Sequence, residues 1–152
     1  MTPYRIQEAS FLTPSEWQDQ SLTMFKIPKT HEVGEASFVI TRDKRGNNQL
    51  FKDYLRIQLQ QSQDQLPDFQ LKKDESFNFQ ETQGGWFEYT WHDGAAALYV
   101  RQIFYDLGAK VLICTLTCGP ADINQHDVNW RRVMSSLKLV PVAQESAPDF
   151  PL

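Results

Sequence analysis

The sequence predicts an α+β fold: one antiparallel sheet of about six to seven strands with two helices on one face. Three observations predict it. The stretch Ala95–Gly119 reads as two long strands, Ala95–Tyr105 and Lys110–Cys118, joined at Asp106-Leu107-Gly108, where a glycine suits the tight reversal. Neither strand alternates apolar with polar as a strand with one wet face should, so this hairpin predicts a sheet centre covered on both sides. The remaining pattern runs strands, helix, strands, helix, an order that suits helices packed on an antiparallel sheet.

Taken in order, Tyr4–Phe11 predicts an edge strand, and Thr13-Pro14-Ser15 a turn with Trp17 plugging an end of the core. Asp19–Ile27 alternates, with Leu22 and Met24 on one side and Thr23 and Phe25 on the other. Lys29–Gly34 is a loop and Ala36–Arg42 a strand. Gly46-Asn47-Asn48 breaks the pattern before a helix over Gln49–Gln65, with Asn48 as its N-cap and Phe51, Leu55 and Leu59 at i, i+4, i+8 as its core stripe. A neighbouring stripe carries Tyr54, Gln58, Ser62 and Leu66, and Pro67 stops the helix. Strands follow at Phe69–Lys73, Glu75–Glu81 and Gly85–His92, with turns at Gln83-Gly84-Gly85 and Asp93-Gly94. A second helix over Gln125–Leu137, capped by Asn124, shows Trp130, Val133, Met134 and Leu137 on one face. These elements make a single domain over residues 1–140, and the proline-bearing residues 141–152 read as a flexible C-terminal tail.

A chain of 152 residues, 41% hydrophobic and 12% aromatic, can bury a core without disulfides or metals. The net charge of -4 and the absence of a basic block argue against nucleic acid, whose affinity comes mainly from neutralised phosphates. The first residues, MTPYRIQEAS, lack the apolar core of a secretion signal, and no run of 18 apolar residues predicts a membrane span. Cys114 and Cys118 share one side of one strand, about 13 Å apart, too far for a disulfide. They read as buried reduced thiols, which fits a cytoplasmic location.

Alternation also divides the sheet into two faces. Phe38, Ile40, Tyr99, Ile103, Leu112, Cys114 and Leu116 form a set able to pack on both helices. The opposite face carries Leu22, Met24, Ser37, Val39, Thr41, Leu98, Val100, Gln102, Phe104, Val111, Ile113 and Thr115, none of them charged. An apolar, uncharged face with no cover from its own chain predicts an interaction surface. Ser37, Thr41 and Gln102, with Gln58 from the first helix, place neutral hydrogen-bonding groups among its aliphatics. That mixture suits a hydrophobic helix, which needs apolar contact and a few partners for its own polar atoms.

Catalysis has little support. His31, His92 and His126 are scattered and read as solvated, and no zinc spacing, nucleophile elbow or phosphate-cradling glycine loop appears. No cofactor, metal or enzymatic activity is expected. Trp17, Trp86, Trp91 and Trp130 read as core and turn plugs, and Arg101 as reaching water or a carboxylate from a crowded face.

The opening M-T-x-Y-R, W-Q-D-Q-S at 17–21, F-K-I-P at 25–28, E-A-S-F-V-I at 35–40, R-Q-I-F at 101–104 and the P-A-D after the last strand carry a resemblance. Over about Met1–Leu139 the chain resembles the effector-associated (Eag) chaperones of bacterial type VI secretion, within a DcrB-like group whose fold is similar to PsbP and Mog1. The resemblance implies a strongly curved sheet and a cytosolic homodimer. It implies a non-enzymatic chaperone that shields N-terminal transmembrane helices beside a PAAR domain of a toxic effector and helps load that effector on the VgrG spike. It also implies a groove lined by Leu22, Met24, Val33, Ser37, Val39, Thr41, Ser62, Leu66 and Leu98, with Gln58 and Gln102 bonding the bound helices. Val100 and Ile113 join the site from the sheet face. Ser62 is less apolar than an alanine there would be. The alternative is a Mog1-like adaptor for a folded protein, which would need charged hot spots and salt-sensitive binding.

Overall fold

A computed structural model describes residues 1–140, so the tail expected over 141–152 lies outside the described residues. The chain groups into two compact units, one built on Met1–Ser21 and one on Leu22–Lys138. In the first, β1 (Thr2–Arg5) pairs antiparallel with β2 (Ser10–Thr13). The expected strand over Tyr4–Phe11 is therefore a reversal. Ile6 N–H donates to the Ala9 carbonyl at 2.9 Å, and Tyr4 and Phe11 face each other with ring centres 5.4 Å apart. Trp17 is 68% exposed and plugs nothing, a correction to the sequence expectation.

The second unit is a six-stranded antiparallel sheet with two helices. Its strands are β3 (Thr23–Ile27), β4 (Ala36–Lys44), β5 (Gln70–Phe79), β6 (Thr82–Asp93), β7 (Ala96–Asp106) and β8 (Lys110–Cys118), in the spatial order β3-β4-β8-β7-β6-β5. The sheet is open and strongly curved, and the β7–β8 hairpin lies at its centre as its two-sided apolarity predicts. Helix α1 spans Phe51–Gln65, and α2 spans Ile123–Ser136 after a short 3-10 turn at Pro120–Asp122. Asn48 does not cap α1: its φ of 61° turns the chain, and Leu50 holds the cap position. Likewise Asp122, not Asn124, precedes α2.

Gly84 and Gly85 lie inside β6, not in the turn that a glycine pair suggests. The reason is close packing. A Cβ on Gly84 would stand 2.3 Å from the Phe77 ring, and one on Gly85 2.7 Å from a Leu55 methyl. The reversal falls instead at Gln80 and Glu81, both with positive φ. The two strands expected over Phe69–Glu81 are one, β5, with a bulge between Leu71 and Lys73.

The register fixes both faces, because residues directly opposite one another in antiparallel strands share a face. Helix α1 packs Phe51, Tyr54, Leu55 and Leu59 on Phe87, Phe104 and Val111. Helix α2 puts Trp130 against Trp86, ring centres 5.3 Å apart, and pairs Asp127 with Arg101. Phe87 and Trp86 are sequence neighbours and so point to opposite sides, as do Phe104 and the pair Arg101 and Ile103. The two helices therefore lie on opposite faces of the sheet, and not both on one as the sequence pattern suggested. The error has a physical cause. Alternation sorts side chains into two sets but carries no information on which helix meets which set.

Under α2 sits a buried ionic cluster that the sequence hid. Arg101 and Glu88 are 6% and 5% exposed. Glu88 accepts from Arg101 Nη2 at 3.2 Å, from Trp86 Nε1 at 2.6 Å and from Tyr99 Oη at 2.5 Å. Arg101 Nη1 reaches Asp127 Oδ1 at 2.6 Å, and Arg131 Nε reaches Asp127 Oδ2 at 2.7 Å. The Arg101 guanidinium also stacks on Trp130, 4.3 Å from the ring centre. Burial alone would raise the Asp127 carboxyl, but the hydrogen bonds and charges of Arg131 and Arg101 hold it below the ordinary carboxylate range. His126 is buried too, contrary to expectation. Its Nε2 lies 3.1 Å from the Gly34 carbonyl, and Asp122 Oδ2 accepts from Gly34 N–H at 3.2 Å, so the β3–β4 loop is tied to α2. Cys114 and Cys118 are buried free thiols.

Three outcomes follow. Gly84→Ala should cost about 1–3 kcal/mol in urea unfolding, because the Phe77 ring is rigid, and Gly85→Ala less, because the Leu55 side chain can rotate away. Arg101→Ala leaves Glu88 buried and unpaired and should cost about 3–5 kcal/mol. Asp127 has its folded value below its unfolded value near 3.9, so its contribution is present above about pH 4 and is lost as pH falls through the folded value. Asp127→Asn should flatten the acid-side slope of stability, measured by urea unfolding between about pH 2 and pH 6.

Candidate partner-binding surface

The face that receives α1 is only half covered. Two hydrogen-bonded contacts fix where α1 stands. Tyr54 Oη donates to Asp43 Oδ2 of β4 at 2.7 Å, and Arg56 pairs with Asp74 of β5 at 2.9 Å. Burial, then the neighbouring Asp43 carboxylate, pushes the Tyr54 hydroxyl well above its usual value, so it remains a neutral donor. One side of α1 thus looks toward β5 and the other toward β4 and β8. Gln58 lies one turn beyond Tyr54 and so faces the uncovered half. Farther along, Ser62 hydrogen-bonds Tyr89, whose hydroxyl burial raises.

The register lays the expected residues in cross-strand rows on this face. One row is Met24, Val39, Thr115 and Gln102, leading to Phe87 beneath α1. A second is Thr41 and Ile113, leading to Phe104. A third is Ser37, Thr117 and Val100. Leu98 stands opposite Trp91, beyond the last residue of β8. Leu22, just before β3, is 56% exposed and Met24 64%. Ser37, Val39, Thr41, Gln58, Ser62, Leu66, Leu98, Gln102 and Ile113 are half-buried. Gln102 Nε2 lies 3.5 Å from Thr115 Oγ1, leaving the amide oxygen as a further acceptor.

Three expectations need correction. The face is not free of cover by its own chain: α1 lies over Phe104 and Val111, which are 1% and 0% exposed. Val100 is 4% exposed and cannot touch a partner in this conformation. Val33 sits in the β3–β4 loop, half-buried, where its carbonyl accepts from Thr30 N–H, and the register gives it no place in the rows. Lys26 adds a charge to the face, opposite Ser37, and is paired with Glu35 at 3.3 Å. Sequence reasoning missed Leu50 and Ile57, 55% and 47% exposed. Their i, i+7 spacing puts both on one side of α1, a signal available to the periodicity. Among the described residues, no group of three or more His, Cys, Asp or Glu could hold a metal ion, and no helix is long and apolar enough to cross a membrane.

Met24→Ser and Thr41→Val should each change stability by less than about 0.5–1 kcal/mol, while Phe104→Ala on the covered half of the same face should cost about 3–5 kcal/mol. Thermal unfolding of the three variants side by side checks the contrast.

The chain matches the DcrB family over residues 8–136. It is 39% identical over 137 residues to a Pseudomonas aeruginosa (strain PAO1) protein named Effector EagT6, covering 90% of this chain and 95% of that protein. A crystal structure of a Pseudomonas aeruginosa protein described as of unknown function superposes with a TM-score of 0.84 at 39% identity, covering 93% and 99% of the two chains. The solution structure of cyanobacterial PsbP from Synechocystis sp. PCC 6803 superposes with a TM-score of 0.54 at 10% identity, over 91% and 92%. That last likeness concerns the fold alone.

Proposed function

The chain belongs to the DcrB family, and from that premise we propose that it is a chaperone which holds the N-terminal transmembrane helices of a type VI secretion effector. The observation that carries the reading is the half-covered face, an apolar floor on β3, β4 and β8 bordered by the Gln58 side of α1. The relative named Effector EagT6 supports the direction.

In this reading, Leu22, Met24, Val39, Ile113, Leu66 and Leu98 supply apolar contact, at about 25 cal/mol per Å² buried. Val33 and Val100 act behind them, as shape rather than as contact. A membrane helix that contains serine, threonine or an unwound turn also carries polar atoms. Burying one unpaired costs about 1–3 kcal/mol. Ser37, Thr41, Gln58, Ser62 and Gln102 answer those atoms with neutral groups, which can both donate and accept without the desolvation cost of a charge. The chain acts in the cytoplasm as a homodimer, holds the helix-bearing region beside the effector's PAAR domain, and gives it up once the effector is seated on the VgrG spike. No chemistry is performed on the partner.

Co-expression with an effector N-terminal region should raise that region's soluble level. An unchanged level would sink the proposal. Gln102→Ala should weaken capture by up to about tenfold, the worth of one hydrogen bond, without lowering the chaperone's own melting temperature.

A further inference from the structure

Two strings that carry the family resemblance, M-T-x-Y-R at the start and W-Q-D-Q-S at 17–21, have no role in the face described above. The first unit brings them together. Tyr4 Oη and Ser21 Oγ lie 2.5 Å apart. Ser21 N–H donates to Asp19 Oδ1 at 2.8 Å, and Ser21 Oγ donates to the same oxygen. A hydroxyl has one hydrogen to give, so Tyr4 is the donor to Ser21. The ring of Tyr4 is thereby set beside the Asp19 carboxylate.

Burial does not explain the meeting, since Trp17 is 68% exposed and Phe11 42%. Yet the segment is pinned. Trp17 N–H donates to the Pro14 carbonyl at 3.1 Å, Thr2 Oγ1 to Ser15 Oγ at 3.2 Å, and Thr13 Oγ1 to the Thr2 carbonyl at 3.3 Å. Hydrogen bonds hold a turn whose largest side chain is left in water. Tyr4, Phe11, Trp17 and Asp19 line one open hollow of about 240 Å³, with Gln18 and Gln20 on its rim.

We propose that this hollow is a cage for the cationic head of an arginine or lysine side chain on the partner protein. The faces of aromatic rings are negative and attract a cation. Asp19 adds a full opposite charge, and the amide oxygens of Gln18 and Gln20 accept from N–H groups. The surroundings have the same sign: residues 1–21 carry Glu8, Glu16 and Asp19 against the single cation Arg5. An anion is repelled there, and an apolar ligand presses on a carboxylate at a desolvation cost. Arginine suits the cage better than lysine, because a planar guanidinium stacks on rings while it bonds a carboxylate.

This deepens the chaperone reading above, on which the identity of the partner rests. Helices that cross membranes are commonly flanked by lysine and arginine. A chaperone that takes up such a helix in water meets an apolar middle and a charged end. The strip beside α1 suits the neutral polar atoms of the middle, and the cage suits the charge.

The test is a nuclear magnetic resonance titration of the isotope-labelled full chain with N-acetyl-arginine amide. The Trp17 indole N–H signal, assigned by its loss in Trp17→Phe, should shift and saturate, with a midpoint that rises with salt. N-acetyl-lysine amide should bind more weakly. N-acetyl-citrulline amide, of the same shape without the charge, should give no saturating shift. Asp19→Asn keeps the acceptor that Ser21 uses and removes the charge, and should weaken arginine binding roughly fivefold. Phe11→Leu should weaken it roughly 2- to 5-fold. Circular dichroism checks that each variant folds, and should Phe11→Leu fail, Asp19→Asn decides. No saturating shift with N-acetyl-arginine amide, an equal response to citrulline, or indifference to Asp19→Asn each overturns the cage. Tetramethylammonium that binds more tightly than either basic probe assigns the hollow to a free quaternary ammonium and overturns the side chain as its ligand. Capture is scored separately, by co-purification of an effector N-terminal region with its helix-flanking basic residues intact or replaced by glutamine. The replacement should weaken capture by the wild type and leave capture by Asp19→Asn unchanged. Capture indifferent to the replacement overturns the assignment to the helix flank. Arginine binding by a chain that captures no effector sinks the chaperone reading alone.

Discussion

A helix is about 10 Å across, and a six-stranded sheet is about 24 Å from first strand to last. One helix per face therefore leaves roughly half of each face without cover. This mismatch of widths governs the second unit of the structure. It explains why residues such as Phe104 and Gln102, two apart on β7 and on the same face, have different fates. Phe104 is sealed under α1, and Gln102 sits at the margin of the cover. A second helix on the same face would have removed the open strip, and α2 is on the other side.

The two faces solve their polar problems differently. Beneath α2, charge is buried and answered by charge: Glu88 and Asp127 hold Arg101, and two tryptophans and a tyrosine close the set. Such a cluster fixes a helix in one position, since any slippage strands a charge at low dielectric. On the α1 side the open strip carries mainly hydroxyls and amides, beside Lys26 on β3 and the Asp43 carboxylate on β4 that accepts from Tyr54. Neutral groups impose no single partner geometry. One face thus holds a fixed internal contact, and the other leaves neutral groups half-buried beside its helix.

Much of this was legible in the amino-acid sequence, and the failures share a cause. Strand period sorted the named residues of β3, β4, β7 and β8, Ser37 and Thr115 among them, onto their faces correctly, because alternation is local and β4, β7 and β8 are long. The β8 boundaries, Lys110 and Cys118, came out as expected from β-branched residues between turn signals. Which helix meets which face was not legible, since nothing in a periodic pattern names its partner. Gly84 and Gly85 read as a turn because their need for closeness comes from Phe77 and Leu55, remote in sequence. His126 read as a solvated surface group because its partner lies 92 positions away, and nothing singled out Glu88, whose partner Arg101 lies 13 positions away. For the candidate surface, alternation placed Thr41 and Gln102 on the α1 face, as the register has them, while the helix stripe through Gln58 came from the family resemblance. Val100 was over-called because its burial depends on the tertiary packing.

The sealed thiols carry a practical consequence. Cys114 and Cys118 are 0% and 2% exposed, and burial pushes both up to about 11. At neutral pH only about one in ten thousand of either exists as the nucleophilic thiolate. The native fold therefore behaves toward maleimides, and toward oxidants acting on sulfur, as though it had no cysteine at all. A spin label or fluorophore attached through one engineered surface cysteine would report from that position alone, with both native residues left in place.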